Sequence, residues 1–149
     1  MQCDDATSDD LDPILGYMRT LYDQHGLDFD RRTASTVLLT MMDDPSSGWI
    51  LVERDDDEVV GYAVVTFALS VEFGGRWALV DELFIAPERR SEGAGSALMA
   101  EIENRCRSLK IQTIQLMVAP HNDGATRLYQ RLGFIKRDLD LMVKGIPDA

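Results

Sequence analysis

Lysine occurs three times in 149 residues, against 18 aspartates, and the formal net charge is −11. Nucleic-acid binding requires a basic face, so this acidity argues against a nucleic-acid partner. Cysteine is equally scarce. Cys3 and Cys106 are too few for a disulfide framework and lack metal-type spacing with His25 or His121. They read as two free thiols, Cys106 inside a helix core, and no metal is expected. No run of eighteen apolar residues is present to span a bilayer, so no membrane partner is expected. The opening MQCDDATSDD is acidic where an export signal is basic and then apolar, which predicts a cytoplasmic protein. Repeats, linkers and low-complexity tracts are also missing. What is left is 45% apolar content in a chain long enough to bury one core, and a single domain over 1–149 is expected.

The acid excess would draw a cationic substrate by long-range attraction. Solubility, salt adaptation or a GC-rich genome accounts for its bulk more simply. Only acids inside a cleft argue for a substrate.

Residues 2–6 can form a first strand. Asp9 or Asp10 can cap a helix in which Leu11, Ile14, Leu15, Met18, Leu21 and Tyr22 share one face, with Gly26 beyond its end. Asp30 starts a second helix, with Ala34, Val37, Leu38 and Met41 at helical spacing until an Asp-Asp-Pro stop. The apolar, β-branched segments Trp49–Glu53 and Val59–Leu69 flank a charged turn and predict an antiparallel hairpin. Gly74 and Gly75 turn the chain into a strand over Trp77–Ile85. A helix over 94–109 follows, burying Leu98, Ile102, Cys106 and Leu109. A strand over Ile111–Val118, a short helix from about Asp123 to Leu132 and a last strand over Phe134–Lys144 complete a mixed α/β order.

The richest segment is DELFIAPERRSEGAG, residues 81–95. A strand ends in an arginine pair, and then Gly93 and Gly95 enter the first turn of a helix. That sequence of elements makes a cup of backbone N–H groups with the helix dipole aimed into it, an anion site suited to a phosphate ester. Asp81 and Glu82 stand just ahead of it. Adjacent residues of a regular strand face opposite ways, so only a bulge would bring both acids to one cleft.

Two patterns carry a family resemblance over nearly the whole chain. Arg90-Ser91-Glu92-Gly93-Ala94-Gly95 matches Arg/Gln-x-x-Gly-x-Gly/Ala directly after a strand. Asn122-x-x-Ala125-x-x-Leu128-Tyr129-x-x-x-Gly133-Phe134 matches Asn-x-x-Ala-x-x-Phe/Leu-Tyr…Gly-Phe one helix and one strand later. Both resemble GNAT-type (GCN5-related) N-acetyltransferases in order, spacing and setting. The resemblance implies a mostly antiparallel, splayed sheet flanked by helices, with acetyl-CoA as co-substrate. It implies that Arg90, Ser91, Glu92, Gly93, Ala94, Gly95 and Ser96 line the pyrophosphate. The edge Leu83–Ala86 would take the pantetheine arm, with the main chain of Phe84 and Ile85 as partners. Glu92 stands where the family often has a basic residue, and Arg89 and Arg90 are expected to offset it.

From the residues alone, Tyr129 can be core or acid, and Asn122 a helix cap or a contact to the arm. The resemblance implies Tyr129 as general acid for the departing thiolate and Asn122 beside the cofactor. It also implies an amine-handling role for the acid pair, with Glu82 as base and Asp81 as amine binder, or the reverse. Tyr22, His25 and Asp28 would shape one wall of the acceptor site, and Glu72, Phe73 and Arg76 the other. The function expected is acetyl transfer to a primary amine of a small cationic acceptor (polyamine, aminoglycoside or amino-acid-like) by direct attack in a ternary complex. The alternatives are a protein or peptide acetyltransferase and a non-catalytic acyl-CoA sensor. A homodimer is a further option.

Overall fold

The computed structural model describes residues 1–148. It divides into two compact units, Met1–Met117 and the segment from Val118 onward, and each is described by itself.

In the first unit, β1 (Gln2–Asp5), β2 (Gly48–Asp55), β3 (Glu58–Ser70), β4 (Gly75–Ile85) and β5 (Ile114–Leu116) form one sheet in that order. The first four strands are antiparallel to their neighbours; β5 runs parallel to β4. The strand period of two sorts the central residues to two faces. Ile50, Val52, Tyr62, Val64 and Phe84 form one core with Ile14, Leu15 and Met18 of α1 (Leu11–Gln24) and Leu38 of α2 (Arg31–Asp43). α3 (Ala94–Ser108) crosses the sheet and buries Leu98, Met99, Ile102 and Cys106.

Local chemistry accounts for the boundaries. Asp30 caps α2, accepting from the Arg32 and Thr33 N–H groups at 3.0 and 3.4 Å. Asp10 does not cap α1 in this way. A 3-10 turn over Ser8–Asp10 precedes the helix, and Asp10 is buried against Arg54, which grips its two oxygens at 2.8 and 2.7 Å. The Arg54 Nε also donates to Asp4 at 3.0 Å, so one guanidinium joins β1, β2 and the start of α1. The charged turn of the β2–β3 hairpin places Asp56 at φ 53°, a conformation aspartate tolerates better than most residues.

The second unit contains α4 (Asp123–Arg131), capped by the Asn122 side chain, which accepts from the Ala125 N–H at 3.1 Å. The strand expected over Phe134–Lys144 is not formed: residues 134–148 enter no ladder. Leu139, Leu141 and Val143 alternate as strand residues do, yet all three are exposed. Alternation prepares a face, but a strand exists only where a second edge supplies its hydrogen bonds. β5 is likewise shorter than the apolar run Ile111–Val118 suggests.

Candidate active site

The β3–β4 ladder changes register between Val64 and Val65: Val64 pairs with Glu82, and Val65 with Val80. Asp81 is the extra residue, so β4 carries a bulge at the acid pair. The bulge breaks strict alternation, and the two carboxyls are near enough for the charge of Asp81 to raise the proton affinity of Glu82. Asp81 is exposed at the rim, while Glu82 sits deeper, on the face that carries Tyr62 and Val64.

Each oxygen of Glu82 accepts one phenolic hydrogen bond. Tyr22, near the end of α1, donates to Oε2 at 2.6 Å, and Tyr62, in the middle of β3, donates to Oε1 at 2.7 Å. Burial holds the Glu82 carboxyl above its usual range; the two phenols oppose that shift, and Asp81 reinforces it. Asp81, though open to solvent at the rim, is partly desolvated by its surroundings, which raises it as well. Tyr62 is a site residue the sequence reading missed. Within Val59–Leu69 it looks like any core aromatic, and only the ladder reveals that it lies diagonal to Glu82, opposite Phe84.

β5 pairs only with Ala78, Leu79 and Val80. Beyond the bulge, the outer edge of β4 has no strand partner among the described residues. The Ala86 N–H donates to the Val60 carbonyl at 2.8 Å, which sets the phase of the ladder. Main-chain groups of Phe84 and Ala86 therefore turn to β3, and those of Leu83 and Ile85 turn to the open edge. The Ile85 carbonyl there accepts from the Arg90 Nε at 3.0 Å, and the Arg90 guanidinium lies 5.3 Å from the Phe84 ring centroid.

The loop after β4 leads directly into α3. Gly93, with φ 86°, supplies the left-handed residue that starts the helix, and Ser91 is left-handed as well at φ 68°. The Ala97 N–H reaches the Gly93 carbonyl at 2.9 Å as the first helical bond, so the N–H groups of Ala94, Gly95 and Ser96 have no partner within the helix. Glu92 is drawn aside by Arg89, whose Nε donates to it at 3.0 Å while the same guanidinium grips Asp55. The anionic side chain is thus held by a neighbouring cation.

Other expected residues stand apart. Phe73 and Arg76 pack at the β3–β4 turn against Trp77 and Phe67. Arg76 and Glu82 stand six positions apart along β4, about 20 Å of strand. His25 and Asp28 are exposed in the connection from α1 to α2. Asn122 and Tyr129 belong to the second unit. There the Tyr129 ring meets Phe134 edge-on at 5.7 Å, the Phe134 N–H donates to the Tyr129 carbonyl at 3.0 Å, and burial raises the phenol. Among the described residues, no group of three or more His, Cys, Asp or Glu side chains gathers as a metal set, and no helix is long and apolar enough to cross a membrane.

A bulged, half-paired central strand that runs through a glycine loop into a helix start defines an acyl-CoA N-acyltransferase fold. The chain belongs to the acetyltransferase (GNAT) family, whose model matches residues 15–134. It is 24% identical over 122 residues to the uncharacterized N-acetyltransferase YhfO of Bacillus subtilis (strain 168), covering 82% of this chain and 79% of that one. A structure described as a possible acetyltransferase from Clostridium difficile 630 superposes with a TM-score of 0.85 at 22% identity, covering 99% of this chain and 98% of the other. The apo aminoglycoside antibiotic 6'-N-acetyltransferase of Acinetobacter haemolyticus gives 0.81 at 12% identity, covering 99% of this chain and 100% of its own.

Proposed function

We propose that this chain transfers an acetyl group from acetyl-CoA to the primary amine of a small cationic acceptor, by direct attack in a ternary complex. The observation that carries the reading is the bulge at Asp81, which sets two carboxyls beside an open strand edge. Leu83 and Ile85 offer main-chain groups to the pantetheine amides, while the Phe84 ring stays in the core. Arg90 leaves the Ile85 carbonyl when the arm pairs there. Residues 90–96 present N–H groups to the pyrophosphate, and the left-handed Gly93 permits close approach.

An aliphatic amine with a pKa of about 10 arrives as ammonium, with roughly one molecule in a thousand neutral near pH 7. Asp81, at the rim, attracts the cation. Glu82, directly or through a water, takes its proton, and its raised proton affinity suits a base better than an ordinary carboxylate would. The freed nitrogen forms a bond to the thioester carbonyl carbon, and a main-chain N–H of the open edge stabilises charge developing on the carbonyl oxygen. The carbon–sulfur bond breaks, Tyr129 protonates the departing thiolate, and the second proton that the nitrogen sheds on becoming an amide passes through solvent to restore the phenol. Asn122 supports the arm from the start of α4.

Thiol release from acetyl-CoA, measured over a panel containing a polyamine, an aminoglycoside, an amino-acid amide and a lysine peptide, tests the reading. Glu82→Gln should lower kcat/KM for the active amine about 10²- to 10⁴-fold, the usual reach of a general base. Full activity in that variant would remove Glu82 from the role. Turnover of the peptide alone would favour a protein-modifying enzyme, and silence across the panel an acyl-CoA sensor.

A further inference from the structure

Glu82 is held by two neutral donors rather than by a cation, and the two come from different places. Tyr62 is fully buried in β3. Tyr22 is part-exposed at the corner where α1 gives way to the connection toward α2; the Leu27 N–H donates to its carbonyl at 2.9 Å, and its ring meets Phe29 edge-on at 5.7 Å. We infer that Tyr22 and Tyr62 are positioning residues for the proton acceptor, Tyr62 as a fixed anchor and Tyr22 as the link between Glu82 and the 25–30 connection. The inference rests on the reading of Glu82 as base.

A carboxylate oxygen can accept two hydrogen bonds, and here each accepts one phenol. The carboxyl plane is thereby fixed with a lone pair on each oxygen left for substrate. A lysine or arginine at either position would fix it too, but a full positive charge would strip away its basicity. Phenols avoid that cost. Burial and the carboxylate of Glu82 push both phenols above their ordinary value, so both remain protonated donors across the working range. The groups facing Glu82 are Tyr22 from α1, Tyr62 from β3 and Asp81 from β4. No cation of the described residues forms an ion pair with it.

Removing either hydroxyl takes away a donor to the charged form, so the proton affinity of Glu82 must rise. The experiment is a pH titration of carboxyl resonances in the full chain carrying ¹³C-labelled glutamate, with the Glu82 signal assigned by its loss in Glu82→Gln. Tyr22→Phe and Tyr62→Phe should each move the Glu82 midpoint to higher pH, and the double variant further. With spermidine as amine probe, kcat at neutral pH should drop about tenfold in Tyr22→Phe, the acidic limb of the rate profile should move the same way, and the Kd for acetyl-CoA should stay unchanged. Tyr22→Phe alone decides the matter if the core variant fails to fold. An unmoved midpoint in Tyr22→Phe would overturn the inference while leaving the base in place if Glu82→Gln is inactive. A moved midpoint together with full turnover of the accepted amine by Glu82→Gln would overturn both.

Discussion

At the scale of single residues, polar groups buried for different ends separate cleanly. Glu82 is half-buried, and each of its oxygens accepts a phenol. Glu53 is buried more deeply, 1% exposed, yet its Oε2 has no hydrogen-bond partner among the described residues. Burial raises its carboxyl, so the folded state binds the proton more readily than the unfolded chain does. The sign follows from that difference: above the raised folded value the native state carries the full cost, and stability increases as pH falls through that value toward the ordinary carboxylate range. Glu53→Met should raise stability at pH 8 by about 1–3 kcal/mol in urea unfolding, with the gain shrinking as pH is lowered. Tyr129 offers a different test. Tyr129→Phe keeps the ring that packs on Phe134 and removes only the hydroxyl, and with it the proton to be donated. In a family enzyme of the proposed mechanism, kcat should fall about 10²-fold at unchanged affinity for acetyl-CoA, measured by pre-steady-state thiol release. Neither Tyr62 nor Glu53 was legible in the sequence as more than a strand residue, because cross-strand neighbours are set by register.

At the scale of elements, the loop that joins β4 to α3 shows what a glycine is for. A Cβ on Gly93 would meet no protein atom within 4 Å, so within the fold itself the demand is conformational rather than steric. Gly93→Ala must hold a left-handed φ at a cost of about 1–2 kcal/mol, or move the first turn of α3. The expected outcome is a weaker Kd for acetyl-CoA by about tenfold in titration calorimetry, with the far-UV spectrum intact. The order of elements from β1 through α4 was readable from periodicity, caps and stops, since those are local. The bulge at Asp81 was not. An acidic dipeptide in a strand says nothing of which partner residue is skipped, and the shift from Glu82 opposite Val64 to Val80 opposite Val65 exists only in the pairing. The final strand failed for the same reason. Its pattern was present and its ladder was not.

At the scale of the whole chain, the acid excess is balanced at particular points. Arg54 collects Asp4 and Asp10, and Arg89 collects Asp55 and Glu92. Asp10 is held below the usual carboxylate range, chiefly by its bond to Arg54. Its stabilisation is present above the unfolded value and is lost as pH falls through the depressed folded one, opposite in sign to Glu53. Asp10→Asn should destabilise the fold by about 2–4 kcal/mol at pH 7, with the deficit closing toward low pH in thermal unfolding. Composition and local pattern by themselves determined the mixed α/β class, the family signatures at 90–95 and 122–134, and the acidity that argues against nucleic acid, because each depends on residues near one another along the chain. Only the tertiary structure decided that Asp81 is a bulge, that Tyr22 and Tyr62 grip Glu82 from 60 and 20 residues away, and that residues 134–148 join no sheet. Those outcomes turn on which strand edges meet and in what register, and hydrogen-bond register between distant segments is written in no single stretch of sequence.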